Sequence, residues 1–178
     1  MKNLNRLRIC YLSACMMAGA LGYGSPAIAT KPVPNNEFDV TFAQGLACDN
    51  FALRIVGSGG QQVLKTFVDE NGNPVRSLSA GTGSNLSYEA LDENGSILGT
   101  FSTKSNGSVT QITYNTNGSQ TYRLMGHNIL ILFPSDVPAG PSTTLYVGQV
   151  VFTVDTEGVF TLQQGNGNTT DICAVLFQ

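Results

Sequence analysis

Asn-Gly dipeptides punctuate the middle of this chain, at Asn71-Gly72, Asn94-Gly95, Asn106-Gly107 and Asn117-Gly118, the last three of these at intervals of 12 and 11 residues. Tight hairpin turns need positive φ at their central residues, which Asn and Gly tolerate best, so Asn-Gly between alternating runs signals a hairpin. Each interval holds one strand of about six or seven residues, an ordinary strand length. Residues 86–91, 97–103, 109–114 and 121–125 are therefore expected to form a meander of consecutive antiparallel strands over roughly 86–125.

The flanking segments carry the same signature. Phe38, Val40 and Phe42 alternate with Asp39 and Thr41, the period of a half-buried strand. Residues 51–56 and 63–68 read as further strands, and 81–84 as a loop. The run Asn128-Ile129-Leu130-Ile131-Leu132-Phe133 is apolar without alternation, which suits a strand buried on both faces. Residues 134–141 contain three prolines, too poor in donors to pair, and are expected to carry the chain from one sheet to another. Strands follow at 145–154 and 159–163, turned by Glu157-Gly158. Gly165-Asn166-Gly167-Asn168 reads as a flexible loop before a final strand at 172–177. About ten short strands without helical periodicity predict an all-β fold, an antiparallel β-sandwich, with a β-barrel as the alternative.

The N-terminus has a different character. Lys2, Arg6 and Arg8 precede an apolar run over residues 9–21 that is too short to span a bilayer. Ala27-Ile28-Ala29 then offers small residues in the pattern of signal peptidase. Residues 1–29 are expected to be a cleavable export signal, cut between Ala29 and Thr30. A competing reading takes Leu12-Ser13-Ala14-Cys15 as a lipobox, which would anchor a lipoprotein through Cys15. Residues 30–36, with Pro32 and Pro34, read as an extended leader, and 37–178 as a single domain.

Removing that signal changes the chemistry of what remains. Three of nine basic residues leave while all twelve acidic residues stay, so 149 residues carry a net charge of −6. That sign disfavours nucleic acid and anionic membranes. Cys10 and Cys15 leave as well. Cys48 and Cys173 are expected to pair in an oxidising compartment, and their wide separation lacks the spacing of a zinc site.

Catalytic patterns are thin. A Ser-His-Asp arrangement would have to use His127, with Asp136 or Asp155 orienting it, and no G-x-S-x-G elbow is present. Glycoside hydrolysis would need two facing carboxylates, for which Glu70, Glu89, Glu93 and Glu157 are candidates, beside Asp69, Asp92 and Asp155. The repeated string Asp-Glu-Asn-Gly, in Asp69-Glu70-Asn71-Gly72-Asn73 and Asp92-Glu93-Asn94-Gly95-Ser96, resembles part of a calcium loop but lacks its distal glutamate. Acidic hairpin turns explain it better. Tyr88, Tyr114, Tyr122 and Tyr146 are the aromatic platforms a sugar would require in a chain without tryptophan. Sequons at Asn85, Asn94, Asn106, Asn117 and Asn168 matter only in a glycosylating host. The reading that follows is a secreted, non-enzymatic binding or surface domain for an extracellular protein or glycan, without cofactor or metal. A small secreted hydrolase using carboxylates or His127 and a structural envelope or matrix protein are the alternatives.

Overall fold

Hairpins build this molecule, and the first four alternate between two sheets before the last joins the larger one. The computed structural model describes residues 27–29, 31–35 and 37–178. The smaller sheet contains β3 (Phe38–Phe42), β4 (Ala52–Ser58), β7 (Asn85–Leu91) and β8 (Ile97–Lys104), in that order. The larger sheet runs β5 (Gln61–Val68), β6 (Pro74–Thr82), β9 (Val109–Tyr114), β10 (Gln120–Leu132), β11 (Ser142–Val154) and β12 (Phe160–Asp171). Two short segments, β1 (Ala27–Ala29) and β2 (Val33–Pro34), pair with the outer edge of β5. Every strand pairing is antiparallel and neither sheet closes on itself, so the fold is a β-sandwich. The expected signal, the Cys15 anchor and Thr30 lie outside the described residues, apart from the strand Ala27–Ala29.

The Asn-Gly hairpins form, with a different turn. Among the described residues no non-glycine residue has positive φ, whereas Gly72, Gly95 and Gly118 lie at +83°, +80° and +83°. Gly72 N donates to the Asp69 carbonyl and Asp69 N to that of Asn73. That is a three-residue loop, a type I turn closed by a left-handed glycine bulge. Asp69 Oδ1 accepts from the amides of Asn71 and Asn73 at 2.9 and 2.8 Å. Asp92 does the same for Asn94 and Ser96, and Asp155 for Glu157 and Val159.

The expected meander is divided. β7 pairs with β8 in the small sheet and β9 with β10 in the large one, while β8 and β9 belong to different sheets. Asn106-Gly107 is thus a sheet crossing, as are Gly59-Gly60 between β4 and β5 and Gly83-Ser84 between β6 and β7. The crossings are tied side by side. Ser84 Oγ donates to the Gly59 carbonyl at 2.9 Å, Ser105 Oγ accepts from Ser84 N at 3.0 Å, and Ser105 N donates to the Ser84 carbonyl at 3.0 Å. The proline-rich segment, expected to cross between sheets, instead joins β10 to its neighbour β11. Its Val137 pairs with β12, the amide donating to the Phe160 carbonyl and the carbonyl accepting from Leu162 N.

The glycine line continues through the longest strands. Gly126, Gly148 and Gly167 stand opposite one another in register, with φ of +89°, +148° and +107°. Residues expected to be separate strands (121–125 and 128–133) or a loop (165–168) are continuous ladder, bent at this line. A side chain at any of the three would strike backbone: the carbonyl of Gly107, Asn166 or Val147. Only glycine lets the strands approach this closely while turning.

Beyond the bend, β10 is buried on both faces, as its apolar run predicts. Ile129 and Ile131 face Leu53, Ile55 and Tyr88 of the small sheet. Leu130 and Leu132 point the other way, into a second cluster with Val150, Phe152 and Phe160. The final segment is a helix, α1 (Ile172–Leu176), where the sequence predicts a strand. Asp171 caps it by accepting from Ala174 N at 3.1 Å, and Ile172 and Leu176, four residues apart, share the buried side. The Cys48–Cys173 disulfide ties this helix to the β3–β4 loop across 125 residues, with Cα atoms 5.6 Å apart.

Candidate functional site

Register assembles what the primary sequence scatters. Residues directly opposite in antiparallel strands share a sheet face, so the pairings of the large sheet can be followed across six strands. One row reads Phe67, Arg76, Thr113, Thr121, Thr153, Thr161. The next reads Lys65, Leu78, Gln111, Arg123, Val151, Gln164. Side chains alternating with these, such as Tyr122, Val150 and Phe152, face the second apolar cluster. The two rows are the other face, and Lys65, Arg76, Arg123 and Gln164 are exposed on it.

Three of the six basic residues after position 29 meet there, with no acidic residue in either row. Among the described residues the ion pairs belong to Arg54, which binds Asp39 and Glu89. Lys65, Arg76 and Arg123 carry none. Two of the three are held in place by an aromatic ring: Lys65 Nζ lies 4.9 Å and the Arg76 guanidinium 4.2 Å from the centre of Phe67. The threonines are in register on four successive strands, and the glutamines add amide donors and acceptors. Acidic groups flank one end, in the turns holding Asp69 and Glu70 and holding Asp155 and Glu157. The hydrogen bonds from Asn73, Asn71 and Gly72 keep the Asp69 carboxyl below its ordinary range.

The residues considered for catalysis are dispersed or occupied. His127 follows the bend glycine, its Nδ1 3.2 Å from the Asn106 carbonyl. Asp136 is buried and accepts from the amides of Phe133 at 2.6 Å and Phe160 at 3.2 Å. It clasps the proline-rich loop to β12. Asp155 serves its own turn. Glu89 and Asp39 grip Arg54 on the outer face of the small sheet, at 3.0 and 2.8 Å, and the hydrogen bond to Arg54 holds the Asp39 carboxyl below its ordinary range. Glu70, Glu93 and Glu157 are exposed on turns. Asp92, like Asp69, is held low by hydrogen bonds from its turn, that of Ser96 foremost. A lowered carboxyl is a poor general acid, and oxygens already accepting turn amides are poorly disposed toward calcium.

The tyrosines are no sugar platforms. Tyr88 is fully buried beside Phe101, and burial pushes its phenol up. Tyr122 stacks on Phe152 within the second core, Tyr146 is buried there too, and the Tyr114 hydroxyl lies 3.3 Å from Ser77 Oγ. Phe67 is the aromatic that the fold sets beside these cations. Its i, i+2 spacing from Lys65 marks one face of a strand, but Arg76 and Arg123 join it only through the unpredicted strand β6 and the pairing of β6 with β9. Compared with known proteins, the chain matches no family model, no curated protein and no solved structure.

Proposed function

We propose that this protein is a secreted, non-enzymatic binding module whose working surface is the open face of its large sheet. The observation that carries the reading is the gathering of Lys65, Arg76 and Arg123 on one face without a salt-bridge partner or an acidic residue in their rows. In a chain with twice as many acids as bases after residue 29, random placement would set carboxylates among them. Export is supported by the N-terminal sequence pattern and agrees with a disulfide between Cys48 and Cys173. No helix among the described residues is long and apolar enough to cross a membrane.

Two measurements test this. Mass spectrometry of the protein exported by a secreting host should give a chain beginning at Thr30 with Cys48 and Cys173 oxidised. A mass retaining residues 1–29, or one carrying lipid on Cys15, overturns soluble export. A glycan array probed with wild type and with Arg76→Ser/Arg123→Ser should show ligands held by the first and lost by the second. Identical patterns, or an empty array for the wild type, overturn the assignment of the face.

A further inference from the structure

Resting on that reading, we infer that the face takes an anionic polysaccharide, laid across the strands with its carboxylates on Lys65, Arg76 and Arg123. Three features select this class. Lys65 and Arg123 occupy one row, three strands apart, which at ~4.8 Å per strand separates them by about 14 Å. Charges so sparse suit a polymer whose anions are spaced by sugar rings. Duplex nucleic acid places a charge every ~1.7 Å and draws its affinity from many simultaneous phosphate contacts. Between and beside the cations stand Gln111, Thr113, Thr121 and Thr153, the donors and acceptors that sugar hydroxyls require. Leu78, half-buried in the same row, offers apolar contact to ring C–H groups. Finally, Phe67 holds Lys65 and Arg76 against its faces, so part of the ordering that binding demands is already met in the free protein.

An anionic membrane would need apolar side chains to insert as well as charge. The exposed large hydrophobics Ile97 and Leu98 are on β8 of the other sheet, and Phe177 follows α1. The face itself offers mainly Met125, 36% exposed.

The test uses the exported protein passed over immobilised polygalacturonate, with neutral dextran, duplex DNA and phosphatidylglycerol vesicles in parallel. Wild type should bind polygalacturonate at about 50 mM NaCl and lose at least tenfold in affinity by about 500 mM, because the contacts are exposed and screened. Arg76→Ser/Arg123→Ser should weaken binding roughly tenfold or more with an unchanged melting temperature. Lys104→Ser, on β8 of the other sheet, should bind as wild type. Equal loss in the Lys104 variant, or none in the double variant, overturns the site. Dextran binding abolished by the double variant would overturn the anionic ligand while leaving the face as a binding surface. Tighter retention on DNA or vesicles than on polygalacturonate overturns the polysaccharide. If no surface and no glycan distinguishes wild type from the double variant, the binding function falls too.

Discussion

Gly148→Ala should destabilise this protein by about 3–5 kcal/mol, far more than a glycine-to-alanine change in an open turn. The control is Gly72→Ala. Gly72 has φ of +83° and nothing within 4 Å of where a methyl group would stand. An L-residue held in the left-handed region costs about 1–2 kcal/mol, partly offset by the reduced freedom of the unfolded chain, about 0.4–1 kcal/mol. The control should therefore lose about 1 kcal/mol. Gly148 carries the same class of conformational cost at φ +148°, and its methyl would fall under 3.0 Å from the Asn166 carbonyl oxygen. That neighbour is backbone in the facing strand, so relief requires opening the β11–β12 ladder at the bend. Overpacking of that kind adds about 1–3 kcal/mol, and opened ladder hydrogen bonds extend the loss. Against a domain stability of about 5–15 kcal/mol, the variant should have a strongly lowered urea midpoint or no cooperative transition at all. Far-UV circular dichroism and tyrosine fluorescence would follow unfolding in this tryptophan-free chain. If Gly148→Ala matches Gly72→Ala within about 0.5 kcal/mol, the glycine line is not what bends the sheet.

Three further outcomes are expected. Replacing Cys48 and Cys173 by alanine releases a loop of 125 residues, for which chain entropy gives a loss of up to about 5 kcal/mol; the urea melt of the reduced wild type should coincide with that of the double variant, with the oxidised wild type above both. Tyr88→Phe should leave stability unchanged or raise it by about 1 kcal/mol, because the hydroxyl is buried without a hydrogen-bond partner; a loss above 1 kcal/mol would reveal a hidden acceptor. Asp69 and Asp92 have carboxyls lowered by turn hydrogen bonds, so their stabilisation is present above the unfolded value near ~3.9 and is lost as pH falls through the lower folded values. Asp69→Asn/Asp92→Asn should accordingly flatten the acid limb of a stability-versus-pH curve and leave the neutral region level.

How much of this was legible in the chain follows from the range of each signal. Turn chemistry is local, and the hairpins at Gly72, Gly95 and Gly118 sit where the dipeptides put them. Only the turn type differs, because one left-handed glycine suffices and the asparagine stays at negative φ. Burial on both faces is local too, and the run over 128–133 has it. Pairing is not local. Asn106-Gly107 has the same dipeptide as its neighbours, yet it crosses between sheets. The helix at the C-terminus was hidden because its five residues are too few to display a period, and the cap that starts it is a single aspartate. The candidate surface was hidden more completely, since its cations come from β5, β6 and β10, and residues 74–82 carry no alternation of large apolar side chains to mark β6.

By itself the sequence determined an all-β chain with hairpins at set places, a cysteine pair bracketing the domain, and an acidic balance. It did so because turn conformation, alternation and charge are properties of a few adjacent residues. The tertiary structure decided which hairpin joined which sheet, that Gly126, Gly148 and Gly167 would form one line, and that Lys65, Arg76 and Arg123 would share a face. Those facts depend on strand register. A slip of one residue moves every side chain to the opposite face, and register is set by the burial of two cores that exist only once the sheets have formed.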